Sequence, residues 1–297
     1  MGRLLQTLVI GAISGSLYAL IAMGMVLVYR TTGVLNIAHG GVGVLSGFVA
    51  WDLMTLRNWP YYAAVVAGVL LAVVIGLAFE RYVIRVVPSP ALQTVSTLGL
   101  FIFLQGIVFV VPWWSNTATK LFPSPLLDKR IQIPGADYSV GYDQIALVSA
   151  VAICLVGLYF VLRRTRIGLA MRATSDDPVA ARLVGIRSQL VSPVVWSLAF
   201  GISGLTTMLI APILFLDATS ITALTLKALT VTFAGGLVSL PLTVMAALSL
   251  ACLEAITQVY LPDAKGLSDA WPFLLMVVVL LARFGQREDS TMATARA

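Results

Sequence analysis

Six polar side chains able to do chemistry interrupt otherwise apolar sequence: Tyr18, Asn36, His39, Gln105, Lys227 and Glu254. Lys227 stands twelve residues before Ser239, and Glu254 stands fifteen after it. At a helical rise of ~1.5 Å per residue these positions lie roughly 18 and 22 Å from a turn at Ser239. If 222–260 is a helical hairpin, cation and carboxylate approach each other. The pair then either staples two helices or forms a polar element of a path across the membrane. His39 is the only histidine, and no cysteine or carboxylate stands close to it, so no metal site is expected. Asn36 and His39 flank the start of a Gly40-Gly41 break, where a broken helix releases backbone groups for them to hydrogen-bond. Direct contact with a solute is the alternative use of both. Tyr18 and Gln105 are further candidates for a polar path. Ser203, within Gly201-Ile202-Ser203-Gly204, has the setting of an intramembrane nucleophile, but the sole histidine precedes it by 164 residues and nothing else supplies a base. No catalytic residue and no cofactor are expected.

The elements that must hold these groups are set by composition. Of 297 residues 59% are hydrophobic and only 11% charged, less than half the charge of a soluble domain. Apolar runs cover roughly 5–29, 37–54, 61–83, 91–111, 143–162, 190–211, 222–238, 241–260 and 271–284. An open sheet cannot satisfy its edges in lipid, so the fold class is an all-α polytopic membrane protein. The runs 37–54, 222–238 and 271–284 are short for a plain span, which predicts eight or nine crossings with one or two broken or short helices. Gly11/Gly15 and Gly43/Gly47 are small-x3-small pairs suited to close helix contact. Cys154 and Cys252 lie inside apolar runs without metal-type spacing, and no small-residue cleavage site follows the first run.

Loop charge predicts orientation. Residues 163–187 contain six arginines against Asp176 and Asp177, whereas 112–142 balances Lys120, Lys129 and Arg130 against Asp128 and Asp137. The first loop is therefore expected on the cytoplasmic side and the second outside. The same bias accounts for the net charge of +6 without nucleic acid. Arg283 and Arg287 place the C-terminus inside. The crossing count puts the N-terminus outside, with Arg3 arguing mildly against it. Residues 1–287 read as a single transmembrane domain and 288–297 as a polar tail. The outer loop carries Trp113 and Trp114, as interfacial anchors or as a docking surface, and a possible strand pair around Arg130–Ile133 and Tyr138–Tyr142. In the basic loop, Asp177-Pro178 is a helix start and Gly185 a helix stop. The short helix between them is a connector, an interfacial helix, or the point where a cytoplasmic motor engages.

The stretch Arg166-Ile167-Gly168-Leu169-Ala170-Met171-Arg172-Ala173, followed by Pro178-Val179-Ala180-Ala181-Arg182-Leu183-Val184-Gly185-Ile186, resembles the coupling loop of branched-chain amino acid ABC permeases. Gly15-Ser16-Leu17-Tyr18-Ala19-Leu20, Asn36-Ile37-Ala38-His39-Gly40, Glu80-Arg81, Ser96-Thr97-Leu98-Gly99, Phe103-Leu104-Gln105, Lys227-Ala228 and Gly235-Gly236 follow in the family's order. The chain resembles the LivH-like subunit. That likeness implies a bacterial inner-membrane protein and an importer for a small polar solute, with branched-chain or other hydrophobic amino acids favoured. It also implies a second homologous permease subunit, two cytoplasmic ATPase subunits, an external solute-binding protein and surrounding membrane lipid. The family's coupling residues map to Arg166, Gly168, Arg172, Asp177, Pro178, Ala181, Arg182, Val184 and Gly185. The chain has no Gly-x4-Gly-Lys-[Ser/Thr] motif, so ATP must act through a partner. After Gly235-Gly236 the family's glycine-rich run is replaced by Leu237-Val238-Ser239-Leu240-Pro241, which puts local packing in doubt. A secondary transporter or channel working without ATPase subunits, for a solute such as urea, is the rival reading.

Overall fold

The computed structural model describes residues 2–115, 119–126, 129–132, 139–185, 188–264, 266–279 and 281. Arg187, Arg283, Arg287 and the tail 288–297 lie outside the described residues. Helix α1 (Gly2–Thr32) carries no charge between Arg3 and Arg30 and is apolar all round. Such a helix has no face for water and belongs at the centre of a bundle. It packs against α11 (Leu240–Tyr260), α9 (Ser188–Leu214), α10 (Ala218–Ala234) and α6 (Tyr142–Arg164). Around this strut stand α2 (His39–Thr55), α3 (Tyr61–Phe79, running on as a π-helical turn to Ile84) and α4 (Pro90–Val110). A short α5 (Pro112–Ser115) follows α4. The basic loop forms α7 (Arg166–Asp176) and α8 (Pro178–Leu183). The last described helix is α12 (Leu267–Val279).

Six helices are long and apolar enough to cross a membrane, and α10 and α12 are shorter apolar helices. With the 17-residue α2 they give nine crossing elements among the described residues. The second crossing is broken, as its length predicts. Gly33 turns the chain at φ 70°, residues 34–36 are irregular, and α2 begins only at His39. The seventh element is longer at its start than expected, because Asp217 caps α10 by accepting from the Ser220 amide. The glycine-poor turn after α10 places Gly236 at φ 80° and Leu237 at φ 66°. A left-handed leucine is costly, so this turn holds backbone strain.

Contacts order the two ends. Ser175 Oγ donates to the Arg30 carbonyl at 2.6 Å, so the C-terminal end of α1 meets the arginine-rich loop. The Arg3 guanidinium lies over the Tyr260 ring at the other end of the bundle. The N-terminus and the arginine loop therefore sit at opposite ends, as the crossing count requires. At the far end β1 (Arg130–Gln132) pairs antiparallel with β2 (Ser139–Gly141), the strand pair expected there. Trp113 and Trp114 both donate to Asp52 Oδ1, at 2.9 and 3.3 Å, tying α5 to the end of α2. Phe122 is fully buried, and the backbone of Lys120 bridges to Leu216. The described part of this loop is thus packed onto the end of α2 and the segment that follows α9.

The small-residue pairs bring helix backbones together. A methyl built on Gly15 would lie 2.8 Å from Leu248 Cα, and one on Gly11 2.7 Å from Cys252 Cα, so α1 and α11 touch backbone to backbone. Gly43 and Gly47 instead make room on α2 for the Thr207 side chain of α9, and Gly43 also lies close to the Ser203 carbonyl. Gly99 on α4, by contrast, faces open space. Gly15→Ala is expected to destabilise the detergent-purified chain by about 1–3 kcal/mol through overpacking. Gly99→Ala should leave it unchanged or slightly more stable. Thermal unfolding of the two variants checks the contrast, and equal midpoints would refute the backbone contact.

Candidate functional site

Two of the expected groupings form. Glu254 on α11 is buried, and its Oε1 lies 3.2 Å from Lys227 Nζ on α10. Its Oε2 accepts a 2.6 Å hydrogen bond from the Tyr18 hydroxyl on α1. The helical hairpin inferred from spacing does bring Lys227 and Glu254 together, and Tyr18 joins them. The sequence reading missed Asp269, near the start of α12, whose Oδ1 lies 3.1 Å from the same ammonium. One cation is thus shared by a buried and an exposed carboxylate. The Lys227 side chain is 22% exposed and that of Asp269 74% exposed. The available signal was the position of Asp269 just ahead of the last apolar run, about where α12 would start alongside the end of α11.

Gln105 on α4 donates through Nε2 to Thr222 on α10. Gln105 and Thr222 are both half-buried, while Thr219 and Ser220 are exposed. Polar groups exposed on a membrane helix seek water or a partner chain. Gln105 and Thr222 join α4 to α10, and Lys227 joins α10 to Glu254 of α11 and Asp269 of α12, so the polar contacts gather along α10, the polar edge of an otherwise lipid-compatible bundle.

Asn36 and His39 behave differently from expectation. Both are buried, but neither amide atom of Asn36 nor either ring nitrogen of His39 has a hydrogen-bond partner among the described residues. They do not satisfy the break between α1 and α2. Threonines do so instead, reaching in from α4. Thr94 Oγ1 accepts from the Leu35 amide at 3.2 Å, and Thr97 Oγ1 accepts from the Ile37 amide at 3.1 Å. Thr97 also donates to the Leu35 carbonyl at 3.0 Å. The Ser203 hydroxyl donates to the His39 carbonyl, so this serine serves the backbone of α2. A hydroxyl reaches a freed backbone group with one rotatable bond. The His39 ring instead packs against Gly24 on α1, where a methyl group would collide with it.

In the basic loop Asp177 Oδ1 accepts from the Ala180 amide at 3.0 Å, and Gly185 adopts φ 83°. The capped helix read from Asp177-Pro178 and Gly185 is present. Arg166 to Asp176 form a helix of their own, started by Thr165 capping Gly168. Gly168 lies against the end of α6, where a methyl would fall 2.6 Å from Leu162 Cα. Met171 and Ala181 are buried, while Leu183 and Val184 are 84% and 76% exposed. The side chains of Pro178 and Arg182 lie outside the described residues. Leu183 was absent from the expected coupling residues, although it is the apolar neighbour of Val184.

A bundle of apolar helices with a polar edge and a short helix protruding from its basic end has the form of a solute-permease subunit. The family model for the branched-chain amino acid transport system permease component matches residues 7–280. The chain is 28% identical to the high-affinity branched-chain amino acid transport system permease protein BraD of Pseudomonas aeruginosa, over 94% of each chain. It is 27% identical to LivH of Escherichia coli K12, over 93% of this chain and 92% of that one. A shorter match, 29% identical over 65% of this chain and 52% of the other, is to the autoinducer 2 import system permease protein LsrC of Escherichia coli. The chain belongs to the branched-chain amino acid transport permease family, and it is a multi-pass inner-membrane protein.

The shared cation makes a testable asymmetry. Lys227→Met leaves Glu254 buried without its cation and is expected to destabilise the chain by about 3 kcal/mol, the cost of breaking a buried pair from one side. Lys227→Met combined with Glu254→Gln should recover at least half of that loss. A thermal-unfolding double-mutant cycle measures the coupling, and additive losses would show that the pair is not a unit.

Proposed function

We propose that this chain is the permease subunit of an ABC importer and forms half of a translocation pathway for a small polar solute, with branched-chain or other hydrophobic amino acids favoured. In this reading a second, homologous permease faces its polar edge, two ATPase subunits bind at the arginine-rich end, and an external binding protein delivers solute at the tryptophan end. The arginine-rich loop is cytoplasmic and residues 112–142 are periplasmic. Gln105 and Lys227 belong to the polar edge, with Asp269 at its rim and Tyr18 and Glu254 buried behind Lys227. Asn36 and His39 lie behind it, at the broken helix.

The observation that carries this reading is the exposed Leu183-Val184 pair at the end of a short capped helix. An apolar pair held out from a charged loop suits the groove of a partner protein. The loop is also wired to the core. Ser175 ties α7 to the end of α1, and twelve residues earlier on that helix Tyr18 ties α1 to Glu254. The separation is about 18 Å along a stiff helix. A push on α8 is then passed through α1 to the junction of α1, α10 and α11. ATP drives the cycle because ATPase closure favours one of two arrangements of that junction over the other.

The test is ATPase activity of the native complex, affinity-purified through this chain, with intact loop and with Leu183→Glu/Val184→Glu. Co-purified ATPase subunits and a loss of solute-stimulated turnover of about tenfold or more are expected, as for removal of an interface hot spot. A chain that purifies alone and moves solute into liposomes without ATP would overturn the proposal.

A further inference from the structure

The arginine-rich end holds a second feature that transport leaves unexplained. A cavity of about 490 Å³ opens between α1, α6, α7 and α11. Arg30, Arg163 and Arg172 line it, and no carboxylate does so among the described side chains. Arg172 Nε is buried without a hydrogen-bond partner among the described residues. The Arg163 guanidinium is held over the Tyr159 ring at 5.3 Å. The rest of the wall is apolar, and along α6 it extends from Arg163 back to Leu155. Eight residues of helix make a slot about 12 Å long that runs from the basic end into the membrane. Val156 and Tyr159, on its rim, are about half exposed to the bundle's exterior.

We infer that this slot binds one anionic phospholipid of the leaflet at the arginine-rich end, with its phosphate on Arg30, Arg163 and Arg172 and an acyl chain along α6. Three guanidiniums crowded at the edge of a low-dielectric slab repel one another unless an anion sits between them. Phosphate suits guanidinium because it accepts paired hydrogen bonds in one plane. Free phosphate would meet the arginines but leave the apolar half of the slot unfilled, whereas a phospholipid fills both ends. Basic pockets between membrane helices at the headgroup level take anionic lipids for this reason. The inference goes beyond the transport reading and stands without it.

The full chain is incorporated into vesicles of equal phosphatidylglycerol and phosphatidylcholine, extracted, and its retained lipid measured by native mass spectrometry. Phosphatidylglycerol is expected to be enriched about tenfold over phosphatidylcholine, as three surface-level arginines allow. Arg163→Gln/Arg172→Gln should return the retained lipid to the vesicle ratio, while Arg164→Gln, whose side chain does not line the slot, should keep the enrichment. Val156→Trp fills the apolar rim and spares the arginines. It should lower retention as well, and it decides the matter if the arginine variant does not fold. Equal retention of the two lipids by the unaltered chain, insensitivity to both slot variants, or complete displacement of lipid by inorganic phosphate would each overturn the assignment. The last outcome would make the site one for a free anion.

Discussion

Inside a bilayer a backbone amide that leaves its helix has no water to accept its proton. The fold is organised around one place where this happens, the irregular segment between α1 and α2. Its exposed amides and carbonyl are taken up by Thr94 and Thr97 of α4, and the first carbonyl of α2 is taken up by Ser203 of α9. These bonds fix α4 and α9 against the break. Because α4 also carries Gln105, they set the distance between the break and the polar edge. Apart from side-chain contacts such as the Tyr18–Glu254–Lys227 cluster, the close contacts in the core are largely apolar packing or glycine-mediated approach, which can be repacked. A freed amide in hydrocarbon cannot be traded in that way.

The second organising element is α1. It is the most buried of the long helices, and it is the only one that touches both the basic loop and the Lys227 cluster through hydrogen bonds among the described residues. Its lack of internal charge lets α6, α9, α10 and α11 close around it. Its glycines let α11 approach most nearly at the level of Gly11 and Gly15. A helix gripped on all sides moves as a rod, which suits it to transmit displacement.

Much of this was legible in the sequence where one local rule decided the outcome. Asp177-Pro178 and Gly185 fixed α8 because caps depend only on neighbours in the chain. Lys227 and Glu254 were paired correctly because a hairpin makes two distances from one turn comparable. The short runs at 37–54, 222–238 and 271–284 announced one or two broken or short crossings by length alone, and the run at 37–54 is one of them. What failed was attribution across distance. Asn36 and His39, the polar residues nearest the break, were expected to satisfy it, yet the work falls to threonines 59 and 60 residues further along the chain. A threonine in a membrane helix ordinarily bonds its own backbone, so nothing local separates Thr94 and Thr97 from Thr225, which does just that. Asp269 was missed for the same reason: its partner is reached only after α12 is folded back.

The dependence of the break on α4 also has a temporal side. The chain is synthesised from its N-terminus at about 5–20 residues per second, so some 60 residues separate the break from its caps by roughly 3–12 s. Until α4 emerges, the segment before α2 cannot rest in lipid with its amides unpaired. It must remain in the watery interior of the insertion machinery, or at the membrane surface, with α1 already in place. The second crossing therefore enters the bilayer together with the fourth, and helix insertion does not follow the order of the sequence.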